Sequence, residues 1–164
     1  MGTRALNDLS TDFRPLVRTL ISDLVERDIM HIIVQTSRTL SEHQQNIAAK
    51  TSWVSLSKHL PRALRGFPAS ELNAAKSDAI DLCPYASWIE YGPRKLSWDA
   101  TDPAFTIMGE LGEALALRWG GRWQQKDLGH FELLFPGEHY DDIPPTSAAY
   151  SSHGRRPLVP GIPI

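Results

Sequence analysis

The strongest local constraint on the fold is the run Asp127–Phe135, DLGHFELLF, because its polar and apolar residues alternate from His130 onward. Successive side chains of a β-strand point to opposite faces of a sheet. The alternation therefore puts His130 and Glu132 on one face, with Phe131 and Leu133 on the other. We predict a strand here whose apolar face joins the core and whose polar face is available for chemistry.

Gly129 precedes this strand and permits a turn, so that Asp127 can fold back toward the His130 imidazole. A histidine with an acid beside it suits a metal site. A lone histidine on a strand is more often a hydrogen-bonded structural residue, so the metal hypothesis needs further ligands. His59 and Asp81 can supply them, because a catalytic zinc takes three protein ligands and keeps a fourth position for water.

Composition limits the class of protein and the kind of metal site. The chain has 164 residues, which is the size of one domain and enough to bury a core. A formal net charge of −2 offers no basic surface for nucleic acid, and no apolar run approaches a membrane span. The single cysteine, Cys83, excludes a disulfide framework and a cysteine-rich zinc site. We expect a monomer with no nucleic-acid partner and no membrane insertion.

The two ends of the sequence carry no candidate site residue. The start, MGTRALNDLSTDF, lacks the apolar core of a signal peptide, which predicts synthesis in the cytoplasm. From Pro136 the sequence is rich in Pro, Ser and Gly and has no apolar periodicity. We predict a folded domain over residues 1–143 and a C-terminal tail over residues 144–164, either wrapped on the body or mobile.

Apolar spacing predicts the helices. Apolar residues from Phe13 to Val25 recur at helical spacing, and residues 41–50 look like a short helix. Asp102-Pro103 is a good helix start, a capping Asp followed by a first-turn Pro, and the buried stripe runs to Leu117.

Two further strands and an excursion complete the pattern. The β-branched run Ile29–Val34 predicts a buried strand, and Ile80 and Leu82 alternate with Asp81, which would face away from the core. Between these strands, residues 60–76 carry prolines and a glycine and predict an excursion with a short helix starting at Ser70.

Four short motifs resemble the zinc D-alanyl-D-alanine carboxypeptidase and L-alanyl-D-glutamate endopeptidase family, peptidase family M15, and among its branches the phage endolysins most closely. The motifs are Ser57-x-His59, Ala79-x-Asp81, Trp119-Gly-Gly-x-Trp123 and Asp127-x-x-His130-Phe131-Glu132. The resemblance spans about residues 13–135, and its last block is the most specific. It implies an α+β fold of the hedgehog/DD-peptidase type, a small antiparallel sheet with packed helices.

The resemblance also implies roles for individual residues. His59, Asp81 and His130 would hold zinc, and Asp127 would be the catalytic base. Arg38 would bind the substrate carbonyl or the developing oxyanion, for which a permanently charged fork of donors suits.

Three further residues receive less definite roles. Ser57 would cap or position the His59 turn or contact substrate, and Glu132 would orient His130 or contact substrate. Trp53 would line a substrate groove, together with Trp88 and Tyr85, although aromatic residues of this number more often belong to a core.

The sequence departs from the family pattern in two places. The family usually has six residues between its first histidine and its aspartate, whereas residues 60–80 intervene here, and this leaves Asp78 as a rival to Asp81. We prefer Asp81 because it keeps the Ala-x-Asp register. Near Arg38, a family glutamine is displaced by one position, with His43 in its usual place.

By resemblance, the function is zinc-dependent hydrolysis of the peptide stem of peptidoglycan, after release or export by a route other than a signal peptide. The Trp-Gly-Gly block favours the L-Ala-D-Glu bond over terminal D-Ala-D-Ala, in a phage-type endolysin. The alternatives are a non-catalytic cell-wall-binding or phage structural module that keeps the fold, and a structural zinc protein. Asp127 argues against both, since a structural site has no need of a spare acid.

Overall fold

The computed structural model describes residues 2–52, 54, 56–86 and 95–138. Within them, three α-helices accompany one four-stranded antiparallel sheet of strand order β1-β2-β4-β3. The helices are α1 (Arg14–Glu26), α2 (Leu40–Ala48) and α3 (Pro103–Ala114); the strands are β1 (His31–Gln35), β2 (Ala79–Pro84), β3 (Leu117–Trp119) and β4 (His130–Leu133). The predicted α+β class with a small antiparallel sheet is confirmed.

The core lies between one face of the sheet and the helices α1 and α3. The apolar stripe of α1 is buried, as are the inward residues of β2 and β4. As predicted, Asp102 caps α3 by accepting a hydrogen bond from the Ala104 amide at 2.9 Å. The buried residues shared by these elements are Val17, Leu20, Leu24, Ile80, Leu82, Phe105, Met108, Phe131 and Leu133.

The predicted extension of α3 to Leu117 is wrong. The helix ends at Ala114, and Ala116 takes a positive φ of 59° that breaks the helical path. Leu117 then begins β3 and pairs with Leu133 of β4. Helical spacing alone could not reveal this, because Leu117 is buried in either arrangement and pairing with β4 decides between them.

Gly129 is required because the backbone there lies very close to β2. The turn that the sequence suggested does not itself require a glycine. The φ of Gly129 is not positive, but a Cβ atom there would lie 2.5 Å from the carbonyl oxygen of Leu82. The Leu82 amide donates to the Gly129 carbonyl at 2.9 Å. Gly129 therefore lets the chain before β4 lie directly against β2.

Residues 60–76 form the predicted excursion, but the helix expected at Ser70 is absent. Only a 3-10 turn, Arg62–Arg65, is helical in this described segment, and residues 69–75 form successive turns. The segment is anchored through Arg62 and Arg65, both fully buried, which contact the carboxylate of Asp78. The insertion is thus packed against the start of β2.

No helix among the described residues is long and apolar enough to cross a membrane. The predicted tail, residues 144–164, lies outside the described residues, as does most of the boundary region before it.

Candidate active site

Strand pairing brings together two of the predicted site residues. Asp81 of β2 lies directly opposite His130 of β4, so both side chains share one face of the sheet. Oδ1 of Asp81 is 2.9 Å from Nδ1 of His130. The polar residues of β4 and Asp81, the polar residue of the otherwise apolar β2, therefore lie on the same face of the sheet.

His59 reaches this face from a loop. The Arg38 amide donates to the His59 carbonyl at 2.9 Å, and the Ser57 hydroxyl accepts from the His59 amide at 3.2 Å. Nε2 of His59 lies 3.0 Å from Oδ1 of Asp81 and 3.3 Å from Nδ1 of His130. Three ligand-type atoms thus form a triangle with edges of 2.9 to 3.3 Å.

This triangle fits a zinc ion. Zinc bonds to imidazole nitrogen and carboxylate oxygen are about 2.0–2.2 Å long, and tetrahedral geometry then separates ligand atoms by about 3.3 Å. The contacts on the outer side of each imidazole agree with this. Nδ1 of His59 is 3.2 Å from the carbonyl oxygen of Thr36, and Nε2 of His130 is 3.0 Å from Oε2 of Glu132. Each ring can keep its proton on the outer nitrogen and turn a lone pair inward, as metal-binding histidines do.

Asp78, the rival ligand, is excluded from this triangle. Its carboxylate is fully buried and accepts hydrogen bonds from Ser10 at 2.5 Å, from Arg62 at 2.8 Å and from Arg65. Both of its oxygens are therefore occupied by hydrogen bonds on the side of the chain opposite the triangle.

The pKa values around the triangle reflect strong mutual attraction in a buried place. Burial opposes ionisation of Asp81, but the two imidazoles outweigh it and hold the pKa of Asp81 well below its usual range. Burial alone would lower the pKa of His130, yet hydrogen bonds to Asp81 and Glu132 raise it to about 10. The buried cluster therefore attracts positive charge.

Asp127 has the opposite shift. Burial raises the pKa of its carboxyl group, and the nearby Asp81 carboxylate adds to this, while the charges of His130, His59 and Arg38 oppose it. An acid with a raised pKa is better suited to accept and return a proton near neutral pH than an ordinary aspartate.

The Trp-Gly-Gly motif fixes the backbone of Asp127. The Asp127 amide donates to the Gly120 carbonyl at 3.0 Å, and a Cβ atom at Gly120 would lie 2.5 Å from the Asp127 carbonyl oxygen. A side chain at position 120 would push Asp127 away from the site. The ring of Trp123, at the end of the motif, lies 5.0 Å from that of His130, centroid to centroid.

A cavity over the triangle gathers the described residues that the sequence analysis assigned to the site, except Tyr85, which is not part of its lining. Trp53 and Trp88 lie outside the described residues, although Ser52 and Val54, the neighbours of Trp53, line the cavity. The full lining is Arg38, Thr51, Ser52, Val54, Ser57, Lys58, His59, Asp81, Trp123, Asp127, His130 and Glu132.

A second and larger cavity, about 630 Å³, adjoins the first. The two share Asp81 and Asp127 in their walls. Its exposed side includes Trp98, with 67% of its surface accessible, and Lys126. Asp81 and Asp127 therefore border both cavities.

Comparison with known proteins agrees with this geometry. Residues 75–133 match the model of a peptidase M15 family described as D-alanyl-D-alanine carboxypeptidase. Over this segment, the chain is similar to the M15 peptidases. The match includes Asp81, Asp127, His130 and Glu132, whereas His59 and Arg38 lie before it and join the site through the fold.

A solved structure gives the same fold for most of this chain. The L-Ala D-Glu endopeptidase ChiX of Serratia marcescens superposes with a TM-score of 0.57 at 16% sequence identity, covering 82% of this chain and 90% of that one. At this identity the likeness establishes the fold. No curated protein matches the chain in sequence.

Sequence reasoning missed the polar residues that surround Glu132. Nε of Arg118 donates to Glu132 at 2.6 Å, and Nζ of Lys58 lies 3.1 Å from the same carboxylate and 2.6 Å from that of Glu138. The only signal was the adjacency of Lys58 to His59. Arg118 follows the predicted helix, and Glu138 lies in the Pro-, Ser- and Gly-rich sequence that begins at Pro136.

Proposed function

We propose that this chain is a zinc peptidase of the M15 family that hydrolyses an amide bond in the peptide stem of peptidoglycan, with the L-Ala-D-Glu bond favoured over terminal D-Ala-D-Ala. The convergence of His59, Asp81 and His130 beside Asp127 carries this proposal. Three donors supply a catalytic rather than a closed structural zinc site, and an acid outside the triangle has a raised pKa.

Each candidate site residue has its own role in the proposed reaction. Zinc held by the three donors would lower the pKa of a coordinated water and polarise the scissile carbonyl. Asp127 accepts the proton of the attacking water and returns it to the leaving amine. Arg38 lines the same cavity and donates to the carbonyl oxygen as negative charge develops, with its Nε held at 2.7 Å from Oε1 of Gln35.

The remaining predicted residues act as supports in this proposal. Ser57 holds the His59 turn through its hydroxyl. Glu132 is buried, and its carboxylate is engaged by His130, Lys58 and Arg118, which favours orientation of His130 over contact with substrate.

The two adjoining cavities support an endopeptidase. A bond inside a peptide needs room for chain on both sides of the catalytic acid, whereas removal of one terminal residue needs a long side and a short one. The two cavities share Asp81 and Asp127 in their walls, which supports room for more than one terminal residue beside the acid. The likeness to an L-Ala D-Glu endopeptidase points the same way, and the family description names the alternative bond.

A cell-wall-binding module without activity is the competing function. It would keep the fold and the groove but would have no use for Asp127. We further propose that the chain acts as a phage-type endolysin, on the resemblance of its Trp-Gly-Gly and Asp-x-x-His blocks.

The deciding experiment is mass spectrometry of muropeptides after incubation of purified peptidoglycan with the zinc-loaded protein. We expect stem fragments with a new amino terminus at D-Glu and disaccharides that retain L-Ala. Release of D-Ala alone would replace the endopeptidase with a carboxypeptidase. Binding to peptidoglycan without any cleavage would favour the binding module.

A further inference from the structure

Lys58 is a buried lysine whose position the proposed chemistry does not explain. It follows Ser57 in the loop that carries His59, and its side chain is only 1% exposed. Burial is costly for an ammonium group unless all its donors are satisfied. Burial lowers the pKa of Lys58, opposed by the charges of Glu132 and Glu138.

The three N–H bonds of the Lys58 ammonium match three acceptors. Nζ lies 2.7 Å from the carbonyl oxygen of Leu133, 2.6 Å from Oε2 of Glu138 and 3.1 Å from Oε1 of Glu132. All three acceptors belong to β4 or to the turn that follows it. The side chain of Lys58 therefore links the loop of His59 to the strand of His130.

The main chain of Lys58 adds a second anchor. Its carbonyl oxygen accepts from the Asp78 amide at 2.9 Å, just before β2, and the Leu133 amide donates to the Asp78 carbonyl at 2.9 Å. Hydrogen bonds around Lys58, the residue before His59, thus connect the loop to β2 and β4.

The link continues to the metal triangle through Glu132. Oε1 of Glu132 faces Lys58 and Arg118, which leaves Oε2 for Nε2 of His130 at 3.0 Å. Two cations and the carboxylates of Glu132 and Glu138 make a balanced buried cluster. Glu138 is itself fixed, since its Oε2 also accepts from the Phe135 amide at 2.8 Å.

We propose that Lys58, held by Glu138, is a positioning residue that sets the separation and orientation of the two histidines at the metal site. This rests on the proposed zinc site, since a positioning role has meaning only if the histidines hold a metal. Lys58 acts through Glu132 on His130 and through the backbone on His59.

The test is the zinc affinity of Lys58→Met, measured by chelator competition beside the parent. We expect zinc to bind more weakly, by up to the roughly 10- to 100-fold that loss of the direct outer partner of a metal-binding histidine, here Glu132, would cost. Visible absorption of the cobalt(II)-loaded protein reports ligand geometry directly, and its band should shift or broaden in the variant.

Arg65→Met is the matched control for lost stability. It also removes a buried cation, and the hydrogen bonds of Arg65 run to the Asp78 carboxylate and to the Leu60 carbonyl. We expect a lowered melting temperature with the zinc affinity and cobalt spectrum of the parent. An equal loss of zinc affinity in Arg65→Met would reduce the role of Lys58 to general stability and overturn the proposal.

The double variant Lys58→Met/Glu138→Gln covers the case in which Lys58→Met alone does not fold, because it restores the charge balance of the cluster. It should fold and still bind zinc weakly. Zinc binding at the parental level, in either Lys58 variant, would overturn the positioning role while leaving the proposed peptidase intact. A parent that takes up no zinc would instead overturn the proposed function, and this inference with it.

Discussion

Asp78 and Asp81, three residues apart at the start of β2, direct their carboxylates to opposite sides of the chain. Asp78 is enclosed by Arg62 and Arg65, whereas Asp81 faces the imidazoles of the candidate site. An odd spacing along an extended chain produces this separation, because side chains alternate between faces. Asp78 therefore contributes to stability, and Asp81 contributes to the candidate site.

Substitution of each aspartate should separate these roles. Asp81→Ala should lose stoichiometric zinc, since one of the three proposed ligands is removed. Asp78→Asn should keep zinc but lower the free energy of unfolding by about 3–5 kcal/mol, because two buried arginines lose their counter-charge. Zinc content by atomic absorption and denaturant unfolding of both variants provide the check. Loss of zinc in Asp78→Asn with retention in Asp81→Ala would reverse the assignment.

The Asp78 cluster should also affect stability in acid. Burial raises the pKa of Asp78, but Arg65, Arg62 and Ser10 outweigh it and hold the pKa below its ordinary value. A group with a depressed folded pKa stabilises the protein above its unfolded pKa, about 3.9 for aspartate, and this contribution is lost as the pH falls through the folded value. The stability difference between the parent and Asp78→Asn should therefore be constant above about pH 5 and shrink below about pH 4. Urea unfolding across this range measures it, and a difference that grows in acid would contradict the ion-pair explanation.

Asp127→Asn should separate catalysis from binding. The amide keeps the size of the carboxylate but cannot accept the proton of water, and loss of a positioned acid-base group typically costs about 100- to 10,000-fold in rate. Zinc content and binding to peptidoglycan should stay close to those of the parent, because Asp127 lies outside the triangle. Turnover is measured by release of muropeptides. Turnover comparable with the parent would remove Asp127 from the mechanism and direct attention to Glu132.

Truncation should locate the end of the functional domain. A chain ending at Asp142 keeps Glu138 and all candidate site residues, so its specific activity should stay within a small factor of the parent. A chain ending at Pro136 loses Glu138 and should bind zinc more weakly, since Lys58 then lacks one of its acceptors. Comparison of the two truncations by zinc titration and muropeptide release tests this. A folded, zinc-bound and inactive chain ending at Asp142 would show that the tail contributes to the groove.

The sequence alone predicted the fold class and nominated the residues that the fold brings together at the candidate site. The alternation after Gly129 predicted which face of β4 is polar, and short motifs with fixed local spacing nominated His59, Asp81, Asp127 and His130. Such signals are readable because they depend on neighbours within a few positions of the chain.

Three features became clear only in the tertiary structure. Asp81 and not Asp78 lies at the candidate site, and Leu117 begins a strand and does not end a helix. Lys58 and Glu138 lie near Glu132. The side chains of Lys58 and Glu138 meet across 80 positions of sequence. Contacts of this kind leave no periodic trace, because the free energy that fixes them comes from burying and pairing charges that only the folded chain brings together.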